Sequence, residues 1–183
     1  MVVKRAEPLS RERILEAALA ILDRDGLDAL TMRKLGDALG VEAMSLYNHV
    51  PNKNALLDGI HERILARVPA VSPRARDWKS FARHAARSLH ATLCAHPNAI
   101  TLFATRPAAT TASFARLEQY LTVLRDAGFS ALQAIRVVQI VLAYVVGHAL
   151  WTVGTADDGL PDAESQQEFE MGLDALLRGL ASA

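Results

Sequence analysis

The stretch Thr31-Met-Arg-Lys-Leu-Gly36-Asp-Ala-Leu-Gly40-Val-Glu-Ala-Met-Ser45-Leu-Tyr47-Asn48-His49-Val50 meets, in order, the demands of two short helices joined by a tight turn. Thr31 offers a side-chain oxygen to the amides of a first turn. Leu35, Ala38 and Leu39 recur at helical spacing as an inward face. Gly36 leaves room where a second helix crosses, and Gly40 permits the positive φ of the turn. The second helix is expected over 42–49, shares a core of Leu35, Leu39, Val41, Leu46 and Val50 with the first, and stops at Pro51. A pair of this kind lays its second helix in a DNA major groove, with the N-terminal residues against base edges. Ala43, Met44 and Ser45 sit there and are small or unbranched. Tyr47, Asn48 and His49 offer donors to the groove wall. Lys53 suits a phosphate and Arg33 a base or a phosphate, and Thr31 completes the set. Each has a plainer reading: Tyr47 as core, His49 as a helix cap, Lys53 as a solvated lysine. The order and the placed glycines carry the inference, not any single side chain.

The rest of the chain suits a helical protein built around this unit. Its 183 residues allow one or two small domains, and 51% hydrophobic with 5% aromatic content describes a globular chain. Punctuation is helical throughout and strand alternation is absent, so the fold class is all-α: an N-terminal three-helix DNA-binding domain over 1–54 and a helical bundle over 55–183. Ser10 caps a first helix with Ile14, Leu15, Ala18, Ile21 and Leu22 on one face, ended by Gly26 as a left-handed residue. Asn52 or Asn54 starts a fourth helix, and 69–73 is a natural boundary. A fifth helix spans about 77–94, Pro97 opens a short sixth, and a seventh carries Phe114, Leu117, Leu121 and Leu124 up to Gly128. Ser130 caps a long eighth helix to about residue 152, 157–161 is a loop, and a last helix carries Phe169, Leu173, Leu176, Leu177 and Leu180.

Several function classes are disfavoured. Lys+Arg and Asp+Glu are 20 each, so the chain lacks the basic excess of a bulk nucleic-acid binder. Residues 1–67 are balanced too, with ten of each sign, which implies few phosphate contacts and a shallow salt dependence of DNA binding. Cys94 is the single cysteine, which fits a reducing cytoplasm. The first eight residues lack the apolar run of a signal peptide. The apolar run 137–153 contains Gln139 and His148 and falls short of the roughly 20 residues of a membrane span, so a buried bundle or dimer helix explains it better. His84, His90 and His96 recur every six residues, which spreads them around a helix; they read as surface or interface histidines, not a metal face. No catalytic triad, paired carboxylates or phosphate loop stands out, so no enzyme and no cofactor are expected.

Leu30-Thr-Met-Arg-Lys-Leu, Gly40-Val-Glu, Ser45-Leu-Tyr-Asn-His-Val and Asn52-Lys-Asn-Ala-Leu-Leu-Asp resemble the N-terminal domain of the tetracycline-repressor family, over about 14–65. The resemblance implies operator contacts from Arg33, Ser45, Tyr47, Asn48, His49 and Lys53. Asn48 replaces a common aromatic, and Ala43 and Met44 fall at variable base-reading positions, so the operator differs from the namesake's. A weaker resemblance continues through Ala95-His96, Thr105-Arg106-Pro107, Leu117-Glu118 and Ala127-Gly128-Phe129-Ser130. Around these anchors the metal–drug ligands of the namesake are replaced, by Leu102, by Tyr120 and near Trp151, which argues against a magnesium–tetracycline effector. What stands there is apolar: Leu89, Leu102, Phe103, Tyr120, Leu124, Ile135, Val138, Leu142 and Trp151, with Arg106 and Gln139 as polar handles. That suits a hydrophobic or planar organic ligand, the alternative being a filled core. The family mechanism implies a homodimer through helices at about 130–152 and 163–180, on a palindromic operator of double-stranded DNA in the bacterial cytoplasm and nucleoid. Effector binding shifts the fourth helix and changes the separation of the recognition helices, ordinarily one DNA turn or about 34 Å. Two other readings fit the same residues: a small-molecule-binding or enzymatic helical protein whose helix-turn-helix is only structural, and an activator on the same scaffold.

Overall fold

The computed structural model describes residues 8–68, 77–106, 109–155 and 163–181. All regular structure among them is helical: α1 (Arg11–Asp25), α2 (Met32–Leu39), α3 (Ala43–Leu46), α4 (Lys53–Arg67), α5 (Trp78–Ala95), α6 (Ile100–Thr105), α7 (Thr111–Asp126), α8 (Ala131–Thr155) and α9 (Ala163–Leu180). A single 3-10 turn, Pro97–Ala99, leads into α6. The expected boundary at 69–73, Pro107 and the expected loop at 157–161 lie outside the described residues.

Local chemistry sets the head, α1 to α3. Ser10 Oγ accepts from the Arg13 amide at 3.2 Å and Thr31 Oγ1 from the Lys34 amide at 3.1 Å. Gly40 is left-handed at φ 69°, ψ 32°, as the turn requires. A Cβ on Gly36 would lie 2.8 Å from the Val41 carbonyl oxygen, so the crossing has no room for any side chain. Three expectations need correction. Gly26 has a positive φ of 82° but an extended ψ of 173°, so the chain leaves α1 straight instead of through a left-handed turn. Ala38 is exposed, because α2 turns only Leu35 and Gly36 fully inward. α3 is α-helical for four residues, not eight: Tyr47 N and His49 N bond back three residues, to Met44 and Leu46, tightening the end into turns before Pro51.

Asn52, not Asn54, caps α4, accepting from the Ala55 amide at 2.8 Å. α4 packs on α1 and also touches α5, α6 and α7, so it is the mechanical link between head and body. Its acids and bases face those of α1: Arg63 and Arg67 pair with Glu16, and Arg11 with Glu62. Glu16 of α1 is therefore answered within the protein, by two arginines of α4. His96 closes the junction. Its Nδ1–H donates to the Asp23 carboxylate at 2.9 Å, and its Nε2 accepts from Arg67 Nη1 at 2.7 Å.

In the body, α5 lies along α8, and α9 packs against both. Arg83–Asp174 (2.6 Å) and the two-pronged Arg87–Glu170 contact (2.6 and 2.7 Å) bolt α5 to α9. Tyr144 Oη donates to the Phe169 carbonyl at 2.9 Å and lies over Gly172, where a Cβ would collide with the Tyr144 hydroxyl. One hydrophobic core runs from Ile14 and Leu22 through Leu56 and Ile60 to Val145, Phe169 and Leu177, so head and body share it. Two of the three periodic histidines contradict their surface assignment. His84 is exposed, but His90 and His96 are buried because α5 is covered on two sides. α8 has 25 residues, so length does not exclude a span as the apolar run had suggested; only 28% of its most apolar window is buried within one subunit.

Candidate DNA-reading surface and effector cavity

The reading surface is built by caps behind and exposure in front. Leu46 and Val50 are buried and anchor the short α3 from within. Met44 is 72% exposed and Tyr47 41%, while Arg33, Asn48, His49 and Lys53 are exposed and Ala43 and Ser45 half-buried. Among the described residues none of Arg33, Tyr47, Asn48, His49 or Lys53 has a side-chain hydrogen bond or ion pair. Lys34, next to Arg33, is by contrast held by Asp25 at 2.8 Å. Arg24 and then Lys34 hold the Asp25 carboxyl far below the usual carboxylate range. Thr31 caps α2, its hydroxyl oxygen accepting from the Lys34 amide.

Behind the head, α4 to α8 line a half-open cavity of about 310 Å³. Of the residues expected there, Leu89, Phe103, Arg106, Tyr120, Leu124, Val138, Gln139 and Leu142 line it. Three do not. Leu102 is buried at 1% exposure but packs into the core, away from the void. Ile135 and Trp151, 42% and 65% exposed, lie on the outer face of α8, because the helix turns 137, 138, 141 and 145 inward instead. Sequence reasoning missed the wall supplied by α4 and the first turns of α7: His61, Leu65, Ser113 and Arg116 all line the cavity. His61 sits one residue after Ile60 in the α4 stripe, a polar residue on a buried face, and that was the available signal.

The polar groups of the cavity are tied to α4. Arg106 donates from Nη2 and Nε to Asp58 Oδ1 at 2.7 and 3.2 Å. Arg116 donates from Nη1 to the Val68 carbonyl at 2.8 Å. His61 lies against Phe103 with ring centroids 4.2 Å apart and the planes tilted by 32°. Burial holds the His61 ring below its ordinary value, with Asp58 pulling it up and Arg106 pushing it down, so it is neutral at pH 7. Tyr120 meets Phe81 edge-on at 5.4 Å. No group of three His, Cys, Asp or Glu side chains capable of holding a metal occurs among the described residues. Among the described residues His61 is the one such side chain on the cavity wall, and no carboxylate lines it.

Residues 14–60 match the family model described as bacterial regulatory proteins, tetR family, and 71–168 match that of the tetracyclin repressor-like C-terminal domain. The chain belongs to the tetracycline-repressor family. It is thus one of a family of DNA-binding transcriptional regulators. The tetracycline repressor class A from transposon 1721 of Escherichia coli is 34% identical over 198 residues, covering 94% of this chain and 91% of that protein. The Streptomyces coelicolor regulator ActR in complex with actinorhodin superposes with a TM-score of 0.85 at 26% identity, over 96% of this chain and 98% of that one. BioQ with its natural double-stranded DNA operator superposes at 0.75 and 28% identity, over 96% of this chain and all of that one.

Proposed function

We propose that this family member is a homodimeric repressor of the bacterial cytoplasm that binds a palindromic operator and is released by a hydrophobic small molecule other than a magnesium–tetracycline complex. The carrying observation is that α4 touches both halves of the device. Its start follows the exposed, unpartnered reading face, and its length forms a wall of the cavity. Residues 1–54 then read DNA, through Arg33, Ala43, Met44, Ser45, Tyr47, Asn48, His49 and Lys53. Residues 55–183 bind effector and pair subunits.

Pairing is supported by a stripe that one subunit leaves bare: Leu132, Ile135, Ile140, Leu150 and Trp151 on α8, with Met171 on α9. An apolar face of this extent marks a protein–protein surface, and two copies of α8 and α9 make a four-helix interface. Ile135 and Trp151 belong to this face in the proposal, not to the effector site. A ligand that wedges the cavity wall moves α4 and alters the separation of the two recognition helices. The test is a gel-shift with the DNA upstream of the protein's own gene. A specific band at physiological salt, lost on adding a ligand found by thermal shift, is expected. No specific band with a folded dimer in hand would sink the proposal.

A further inference from the structure

Charge is distributed one-sidedly over the cavity. Its described lining contains two arginines, Arg106 and Arg116, and no aspartate or glutamate. Both spend hydrogen bonds on α4, at opposite ends of it. Arg106 bonds Asp58 and, from Nη2 at 3.4 Å, the Asn54 carbonyl; Arg116 bonds the carbonyl of Val68, the residue that follows the last turn. Between them His61, on α4 itself and 7% exposed, lines the void, and neither ring nitrogen has a hydrogen-bond partner among the described residues. A neutral apolar ligand would fill the volume but leave His61 unanswered and both guanidiniums turned to the helix.

We infer that the effector is an amphipathic organic acid, an apolar body with an anionic head, and that Arg106, Arg116 or both take the head in exchange for the oxygens of α4. The inference rests on the reading of the cavity as an effector site. A guanidinium binds a carboxylate or sulfonate through charge-assisted, often paired, hydrogen bonds, and the dry wall strengthens them. The exchange has a direction. A head that captures Arg106 leaves Asp58 alone near the start of α4, and one that captures Arg116 frees the carbonyl beyond its end. The helix that carries the reading head loses its tethers in the same step that binds the ligand, so recognition and release are one event.

Two fluorescent probes with one apolar body separate the possibilities: 1-anilinonaphthalene-8-sulfonate and its uncharged counterpart N-phenyl-1-naphthylamine, titrated into the full-length protein. The sulfonate is expected to bind at least about tenfold more tightly, and replacement of both arginines together, Arg106→Gln with Arg116→Gln, to remove about tenfold of its affinity while leaving the neutral probe unchanged. Asp58→Asn, which removes the carboxylate competing for Arg106, raises sulfonate affinity severalfold; damage to the fold would lower it. Ala85→Trp fills the cavity and abolishes binding of both probes, and Leu142→Trp from α8 serves the same purpose if the first variant unfolds. Equal affinities, or equal losses in the arginine variant, overturn the acid and leave the cavity reading standing. Binding of neither probe, or binding that survives both tryptophans, overturns the two together.

Discussion

The exposed residues proposed to read DNA are held by what lies behind them; the cavity residues proposed to meet a ligand are held by what lies across from them. Tyr47 and Met44 stand out from α3 because Leu46 and Val50, their sequence neighbours, are buried, and because Gly36 and Gly40 fix the turn. Arg106, Arg116 and His61 come from α4, the end of α6, and α7, and meet only because the bundle closes around a void. Local rules therefore build the first site and global packing the second. The same difference decides where each site is fragile.

The largest expected effect separates the two. Gly36→Val drives a branched side chain into the Val41 carbonyl, an overpacking cost of roughly 3 kcal/mol or more concentrated in the head. Operator binding by gel-shift should disappear while probe binding in the cavity stays within about twofold; loss of both would show that head and body fold as one unit. Next, Ile140→Glu puts an uncompensated charge on the bare α8 stripe, costing about 3–5 kcal/mol once that face is covered. Sedimentation should show monomer, with near-wild-type helicity; an intact dimer would move the interface elsewhere.

A pH dependence sharpens the comparison from the body's side. Burial, and then the neighbouring His148, hold His90 down at about 4 against an ordinary 6.5, and burial depresses His148 also. Glu170 and Glu168 oppose these shifts without reversing them. Both rings are neutral in the folded state, so the unfolded chain takes up protons first as pH falls. Stability is full above pH 6.5 and declines toward pH 4, on the order of 3 kcal/mol for His90. Urea midpoints at pH 7.5, 5.5 and 4 should fall in that order, with wild-type m-values; a flat series would refute it. Smaller still, Tyr47→Ala and Lys53→Ala should each weaken operator binding by about tenfold, about 1.4 kcal/mol, with no change in thermal midpoint beyond a degree or two. Finally, the salt slope of operator binding should fall well short of the roughly ten of a large repressor, since the acids and bases of α1 and α4 neutralise each other; a steep slope would contradict it.

The contrast also explains what the sequence made legible. Caps at Ser10, Thr31 and Asn52, the turn glycine at 40 and the inward stripe of α1 are local, and they stand where the residues indicated. The exposure of Met44, Tyr47, Asn48 and His49 followed from them. The cavity was only partly legible. Eight of its lining side chains were anticipated, but Leu102, Ile135 and Trp151 were misplaced because a uniformly apolar α8 gives no sign of which face looks inward. His90 and His96 were misjudged for a related reason. Periodicity within one helix says nothing of a second helix covering its other side, and each ring finds its partner far away in the chain, at His148 and at Asp23.

The bare stripe of α8 and α9 has a genetic consequence, because it lies on elements that take no part in reading DNA. A copy of the gene carrying Gly36→Val still makes a body able to pair, so its product marries wild-type subunits and blinds them. With equal synthesis and random pairing only about a quarter of the dimers keep two working heads. Head mutations in this regulator should therefore be dominant and derepressing, whereas mutations that destroy the stripe should be recessive, since their products pair with nothing.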